Sequence, residues 1–227
     1  AGNFDPKPPY DARRDLVGVA VVARNPRLIV VSPDVKANTL PEFFALARAQ
    51  PGKFFYGSPG IGHSFHLLTE LLSTQAGIKM THVPYKTATA VNLAIMTGEI
   101  PILFTSVAGI TPLMESGKVK MLAISTDVRM PYVPNVPTIR ESGIDVALIT
   151  WFGLFAPAAT PREIVQRLNA EIARQMFETP ANREKFIAGQ GLEVYGPVAA
   201  AAEVFAAFNR SQREMYANLV KIAKISI

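Results

Sequence analysis

Short apolar runs alternate with runs of helical period over the first two thirds of the chain. The apolar runs are rich in Val, Ile and Phe and mostly continuous, which is typical of strands buried on both faces. They predict strands at 16–23, 28–32, 53–57, 79–85, 101–106, 119–125 and 147–157. Amphipathic runs predict helices at 39–50, 64–77, 88–98 and 108–117. This alternation predicts an α/β fold with a mostly parallel sheet from about 28 to 125.

After Pro157 the pattern changes to long amphipathic helices, predicted at 160–180 and 197–225, with a short helix at 181–191 between them. Thr160 and Pro161 are predicted to be the N-cap and the first residue of the first of these helices. The polar, proline-rich start of the chain predicts a connection rather than an element. We therefore expect the chain to be the later part of a larger fold.

The composition favours a folded protein. Of the 227 residues 49% are hydrophobic, enough for one large or two small domains, and only 18% are charged, too few to indicate disorder. No apolar run has the length of a membrane span, and no signal-peptide pattern is present. The chain has no cysteine, which excludes disulfides and cysteine metal sites.

The net charge of +5 raises the possibility of a nucleic-acid partner. However, the basic residues are scattered, with no run longer than Arg13-Arg14, and no zinc or RNP motif accompanies them. We therefore expect no nucleic-acid partner. A mildly basic surface instead attracts small anionic solutes.

A glycine-rich turn, "YGSPGIGHSFH" at 56–66, lies between a predicted strand and a predicted helix. Four interpretations compete: a phosphate loop, a catalytic elbow, a carboxylate cradle or a plain turn. A Walker loop needs Lys-Ser/Thr after its last glycine, whereas His63-Ser64 follow Gly62, and the Rossmann glycine spacing is also absent. A nucleophile elbow needs a second glycine where His66 stands, and a hydrolase triad needs a later histidine than His82.

The three histidines, His63, His66 and His82, raise the question of a zinc site. No carboxylate stands at ligand spacing beside them, so packing or polar lining is the favoured interpretation and no metal is expected. What remains for the turn is a cradle of backbone N–H groups at a helix N-terminus, which attracts carboxylates or phosphates. Ser64 is then the helix N-cap, a ligand donor, or both.

Longer motifs carry a family resemblance. The chain reads "FYGSPGIGHSFHLLTELLSTQAG", "HVPYK", "GEIPILFTS", "GKVKMLAISTDVRMPYVPNVPTIRESG" and "TWFGLFAPAATPREIVQRLNAEI", in that order. In these motifs it resembles the tripartite tricarboxylate transporter receptors, which are Bug-type periplasmic solute-binding proteins. The resemblance extends from about residue 4 to the end of the chain.

The resemblance implies a type 2 periplasmic-binding-protein fold with two lobes. A complete second lobe is expected at 32–153, and a partial first lobe at 1–31 and 154–227. The family's opening strand, Pro-Gly-Gly loop and helix have no counterpart here, so the first lobe is expected to be incomplete. Core exposed by that shortening is expected to favour a dimer.

The resemblance also implies a binding site for a carboxylate. The residues that match it are Gly57, Ser58, Gly60, Gly62, His63 and Ser64 in the glycine turn, Tyr85 and Lys86 in the next loop, Thr105 and Ser106 at a strand end, and Trp151 at the return hinge. From residue type alone, Tyr85 and Trp151 are more often packing residues, and Lys86 is more often solvated. Thr87 replaces a family glycine, and Thr105 stands where the family often has Asp, which favours plain carboxylates over amino acids as ligands.

The function implied is that of a periplasmic receptor without catalysis, cofactor or metal. It would capture a small organic carboxylate in the cleft between the lobes and deliver it to the integral-membrane permease subunits of the transporter. The alternative is the ligand-sensing effector domain of a regulator of the same fold class. That alternative needs a helix-turn-helix segment upstream, and the start of this chain shows no sign of one.

Overall fold

The computed structural model describes residues 9–145, 150–194 and 202–222. Its strands are β1 (Leu16–Asn25), β2 (Arg27–Val31), β3 (Phe54–Ser58), β4 (Met80–Pro84), β5 (Ile102–Ser106), β6 (Lys120–Ile124) and β7 (Thr150–Pro157). Its α-helices are α1 (Leu40–Ala49), α2 (Ser64–Ala76), α3 (Ala88–Met96), α4 (Val107–Glu115), α5 (Arg162–Ala173), α6 (Pro180–Phe186) and α7 (Ala202–Ile222). The predicted strands and helices are thus present in the predicted order, and their ends within the described ranges differ by a few residues. The predicted parts 147–149, 197–201 and 223–225 lie outside the described residues.

The chain forms two compact units. The described residues up to Asn25 and those from Trp151 to Lys221 belong to the first unit, and 26–150 form the second. The sequence analysis predicted lobe boundaries at 31/32 and 153/154, which lie a few residues further along the chain than the boundaries between the two compact units. β2 belongs to the sheet of the second unit, because its two edges are hydrogen-bonded to β5 and β6.

The second unit is built on a five-stranded sheet of order β4-β3-β5-β2-β6. β3 is parallel to β4 and to β5, whereas β2 is antiparallel to both of its neighbours, β5 and β6. The sheet is mostly parallel, as predicted, but β2 is not the first strand of a parallel series. It ends at the edge where β5 begins, since the amide of Ser32 donates to Pro101 O at 3.0 Å.

Burial explains why β2 and β5 read as continuous apolar runs. Every residue of β2 is buried, and so are four of the five residues of β5. Helices cover the sheet with their apolar stripes: Phe43 and Phe44 of α1 and Leu68, Leu71 and Leu72 of α2 are all buried. Gly77 ends α2 in the left-handed conformation, φ +62°, which glycine adopts readily.

The first unit contains β1 and β7, which pair with each other, and the helices α5, α6 and α7. Its core brings together Trp151 and Phe155 of β7 with Phe205 and Phe208 of α7, at ring-centroid distances of 5.2–6.3 Å. The predicted start of α5 was wrong by one residue. Pro161 has an extended ψ of 139° and lies before the helix, which begins at Arg162.

Candidate functional site

Three helices begin at one edge of the sheet in the second unit. Because β3, β4 and β5 run in the same direction, their carboxyl ends lie at the same edge, and α2, α3 and α4 start there. Each helix N-terminus carries a partial positive charge from its unpaired N–H groups. None of the three has an acidic residue in its first turn, whereas α1 and α5 have Glu42 and Glu163. This edge is therefore electropositive and has no carboxylate of its own at those positions.

Arg27 adds a full positive charge at the same edge. It is the first residue of β2 and pairs in register with Ser106, the last residue of β5. It is only 7% exposed, and its guanidinium lies 4.8 Å from the ring centre of Phe65 on α2. The charge of Arg27 also helps to lower the pKa of His63, after the larger effect of burial. No sequence motif pointed to Arg27, because its position depends on the antiparallel insertion of β2.

The glycine turn is held by its own hydrogen bonds. Gly60 and Gly62 have positive φ angles, +138° and +78°. The amide of Gly60 donates to Ser58 Oγ at 3.2 Å, and the amide of His63 donates to Gly60 O at 3.2 Å. The amide of Gly62 donates to His66 Nδ1 at 3.1 Å. The expected row of consecutive free amides is therefore interrupted, since these three N–H groups are already used inside the turn.

The N-cap of α2 is His63, not Ser64. His63 Nδ1 accepts from the amide of Phe65 at 3.2 Å, and Ser64 is the first residue of the helix. Within the described residues, no group accepts a hydrogen bond from the amides of Ile61, Ser64 and His66, or pairs with the Ser64 hydroxyl. These are the donors that the turn can offer to an anion.

Gly57 and Ser58 lie underneath the turn. Ser58 is fully buried, and its Oγ lies 2.9 Å from Gly60 O and 2.7 Å from His82 Nε2. A Cβ atom on Gly57 would lie 2.7 Å from a methyl group of Val91 and 2.8 Å from Ile100. The structure therefore gives both residues a supporting position, since a larger residue at 57 or a lost hydroxyl at 58 would disturb the turn from below.

An aromatic cluster lies beside Ser58. The rings of His66 and His82 stack with centroids 4.0 Å apart, and Tyr56 stacks on His82 at 5.0 Å. The Tyr56 hydroxyl donates to the Glu70 carboxylate, and burial followed by this hydrogen bond raises the pKa of Tyr56. Burial lowers the pKa of His66, and burial together with the charge of His66 lowers the pKa of His82 to about 4. Both imidazoles are therefore neutral at pH 7.

The loop after β4 positions Tyr85, Lys86 and Thr87. The Tyr85 hydroxyl donates to Glu99 Oε1 at 2.7 Å, and burial followed by this bond raises the pKa of Tyr85 to about 12. Lys86 is exposed and, among the described residues, makes no ion pair. Thr87 is the N-cap of α3, since its Oγ1 accepts from the amide of Ala90 at 3.1 Å. This cap explains why threonine is accommodated where the resemblance led us to expect glycine.

Side chains at the end of β5 form hydrogen bonds with both α3 and α4. Thr105 is 1% exposed, and its hydroxyl donates to Asn92 Oδ1 at 3.2 Å, while Asn92 Nδ2 donates to Gly109 O at 2.8 Å. Ser106 caps α4, with its Oγ accepting from the amide of Gly109 at 3.3 Å. Asn92 was not predicted from the sequence, because a lone asparagine in a helix gives no signal before its partners are known.

Trp151 lies in the first unit, half-buried among Phe155, Phe205 and Phe208. These contacts support the packing interpretation of its role, and a contact with ligand stays a prediction. Over the described ranges, no three His, Cys, Asp or Glu side chains group together in a way that could hold a metal ion. In the same part of the chain, no helix has the length and apolar character needed to cross a membrane.

Comparison with known sequences places the chain in a family. The model of the tripartite tricarboxylate transporter family receptor matches residues 2–221. The UPF0065 protein of the tcbD-tcbE intergenic region in Pseudomonas sp. strain P51 is 36% identical over 173 residues, which are 74% of this chain and 51% of that protein. BugT of Bordetella pertussis is 29% identical over 217 residues, 95% of this chain and 65% of BugT. The chain thus spans only part of the length of these relatives.

Solved structures share the fold. The R. palustris protein Rpa4515 with adipate has a TM-score of 0.87 at 29% identity, covering 96% of this chain and 71% of that one. The periplasmic binding protein BugD has a TM-score of 0.84 at 25% identity, with 96% and 72% covered. MatC from Rhodopseudomonas palustris with bound malate has a TM-score of 0.82 at 26% identity, with 93% and 71% covered. The predicted periplasmic-binding-protein fold is confirmed, and the chain belongs to the tripartite tricarboxylate transporter receptor family.

Proposed function

We propose that this chain is a periplasmic solute-binding receptor that holds a small organic carboxylate at the edge where α2, α3 and α4 begin. Receptor and ligand together would then be recognised by the integral-membrane permease subunits of a tripartite tricarboxylate-type transporter. The observation that carries the proposal is the convergence of three helix N-termini without an acidic residue in any first turn. Arg27, at the same edge, adds to the attraction for an anion.

The donors at this edge suit a carboxylate. Four donors lie on one turn at the start of a thirteen-residue helix and have no partner among the described residues: the amides of Ile61, Ser64 and His66 and the Ser64 hydroxyl. Backbone amides at a helix N-terminus recognise the charge of a carboxylate and its oxygens rather than the rest of the molecule. The adipate and malate named with two family structures are ligands of this kind.

The neighbouring serine–histidine pair does not support a hydrolase. Ser58 Oγ and His82 Nε2 lie 2.7 Å apart, which is a distance that a nucleophile and its base also show. However, Ser58 is fully buried, and its Oγ is already engaged with both backbone polar groups of Gly60. A nucleophile must reach its substrate, so this pair supports the turn and the proposed function is binding alone.

Thermal unfolding with a panel of carboxylates tests the proposal. We expect one class among acetate, malate, adipate, citrate and benzoate to raise the Tm of the chain. A ligand at about one hundred times its Kd adds roughly 2.7 kcal/mol to the free energy of unfolding, which corresponds to about 5–10 °C for a protein of this size. The matched controls are the neutral amides of the same acids, together with sulfate as a simple anion. Equal shifts by acids and amides, or no shift by any acid, would contradict carboxylate binding at this edge.

A further inference from the structure

The stacked histidines His66 and His82 are connected to both glycines of the turn that have positive φ, Gly60 and Gly62. Their rings lie nearly parallel, at 9°, with centroids 4.0 Å apart, and His66 is only 6% exposed. His66 is the third residue of α2, while His82 lies on β4, directly opposite Tyr56 in the register of β3 and β4. The proposed contacts with a carboxylate use the backbone amide of His66 but neither ring, so the pairing needs its own explanation.

Each ring supports one glycine. His66 Nδ1 accepts from the amide of Gly62 at 3.1 Å, which requires the proton of the neutral ring to be on Nε2. His82 Nε2 lies 2.7 Å from Ser58 Oγ, and that oxygen accepts from the amide of Gly60 at 3.2 Å. Gly60 and Gly62 are the two residues of the turn with positive φ. The backbone of the turn is thus fixed by the two rings, at Gly62 directly and at Gly60 through Ser58.

We propose that His66 and His82 are positioning residues for the glycine turn, and that His66 holds the turn in its ligand-receiving conformation while neutral and releases it when protonated. The part of this inference that concerns ligand affinity rests on the proposed function above. The part that concerns the turn itself stands on the geometry of the two rings and the two glycines. Protonation of His66 turns Nδ1 from an acceptor into a donor, and it would then face the N–H donor of Gly62.

The surroundings of the pair disfavour the charged rings. Within the described residues, Tyr56 from β3 stacks on both rings, and Glu70 from α2 is hydrogen-bonded to Tyr56. His63 and Arg27 both lie against Phe65. Glu70 already accepts the hydroxyl proton of Tyr56, while the N-terminus of α2 adds positive potential and burial disfavours a charge on either ring. A second charge on a ring stacked at 4.0 Å would also repel the first.

The sign of the pH dependence follows from these surroundings. The pKa of each ring is below its ordinary value of 6.5 in the folded chain, that of His82 at about 4. The folded state therefore binds fewer protons than the unfolded state between these values. The stabilising contribution of the neutral pair is complete above about pH 6.5 and is lost progressively as the pH falls towards 4. Ligand affinity is expected to fall over the same range.

Two variants of His66, with side chains of nearly equal shape, distinguish a positioning role from simple packing. Asparagine places its Oδ1 at the same number of bonds from Cα as His66 Nδ1, so His66→Asn keeps an acceptor for Gly62 but cannot be protonated. His66→Leu places a methyl group there and has no acceptor. At pH 8 we expect His66→Leu to bind adipate or malate about tenfold more weakly than His66→Asn does. Between pH 8 and 4.5 we expect the ligand affinity of His66→Asn to fall less than that of the unsubstituted chain, because asparagine cannot be protonated.

Nuclear magnetic resonance tests the positioning of the turn without any ligand. In the unsubstituted chain, the amide resonance of Gly62 is expected to shift with the same midpoint as the imidazole signals of His66. In His66→Asn this shift should disappear, while in His63→Asn it should remain, because His63 Nδ1 accepts from the amide of Phe65 and the Gly62 amide donates to His66. The chain has only three histidines, so their signals are assigned by these substitutions.

The outcomes are distinguishable. A Gly62 amide that ignores the titration of His66 would overturn the positioning role, and so would equal affinities of the leucine and asparagine variants for a ligand that both bind. If Gly62 follows His66 but neither acid binds to the unsubstituted chain, the positioning of the turn is supported and the proposed carboxylate function fails. If His66→Leu does not fold, the comparison of the unsubstituted chain with His66→Asn still decides the question.

Discussion

Replacing Gly62 by valine is expected to abolish carboxylate binding while the chain stays folded. Gly62 has a φ of +78°, a conformation that costs a residue with a Cβ roughly 1–2 kcal/mol and a β-branched residue more. The turn is expected to relieve this strain by changing its backbone angles, which breaks the bond from the Gly62 amide to His66 Nδ1. We expect at least about a hundredfold loss of affinity, corresponding to roughly 3 kcal/mol. Isothermal titration with the best acid of the thermal panel measures it.

Gly52→Val is the matched control for this substitution. Gly52 has a φ of +76°, and a Cβ atom added there would have no neighbour within 4 Å. It lies at the opposite edge of the same sheet, where its amide donates to Lys79 O at 2.8 Å. Both variants should lose a similar free energy of unfolding, but only Gly62→Val should lose affinity. An unchanged affinity in Gly62→Val, or an equal loss in both variants, would argue against the turn as the binding site.

Replacing Gly18 by alanine is expected to destabilise the first unit strongly. A Cβ atom on Gly18 would lie 2.3 Å from Cδ1 and 2.5 Å from Cε1 of Phe205. The Phe205 ring is 3% exposed and is packed against Trp151 and Phe155, so it cannot move aside without disturbing them. Overpacking of this kind costs roughly 1–3 kcal/mol, and we expect the upper end of that range. Urea denaturation followed by Trp151 fluorescence measures the loss.

A double-mutant cycle that combines Gly18→Ala with Phe205→Leu tests whether the loss of stability comes from overpacking against Phe205. Leucine has no Cε1 atom and no rigid ring, and its Cδ atoms can rotate away from the new Cβ, so the double variant should lose less stability than the sum of the single losses. The coupling should lie within roughly 0.5–3 kcal/mol, as for residues in direct contact. Strictly additive losses would show that the cost at Gly18 comes from its backbone rather than from Phe205.

The sequence predicted the order of strands and helices well, because periodicity and local capping are properties of neighbouring residues. The continuous apolar run that became β2 was recognised as a buried strand, and all of its residues are buried. Its direction was not predicted, since hydrophobicity carries no information about which neighbour a strand pairs with. The position of Arg27 beside Ser106 depends on that direction and was missed for the same reason.

The candidate site was predicted in outline and differs in detail. The glycine turn was singled out from its residues alone, yet its amides are shared with Ser58, Gly60 and His66 rather than left free. The N-cap fell on His63 instead of Ser64, because a histidine Nδ1 can accept from an amide two residues on, as a serine hydroxyl often does. Thr105 was expected to bear on ligand charge, but its hydroxyl donates to Asn92, a helix residue that no local pattern marked.

The sequence by itself determined the fold class, the family and the turn that is proposed to receive the ligand. These depend on residue type and local spacing, which are fixed along the chain. Only the tertiary structure decided that His66 and His82, sixteen positions apart, stack on each other and are linked by hydrogen bonds to Gly62 directly and to Gly60 through Ser58. The parallel register of β3 and β4 places His82 opposite Tyr56, and the packing of α2 on β3 brings His66 beside both. Register and packing are cooperative properties of the whole core, so no single stretch of sequence contains them.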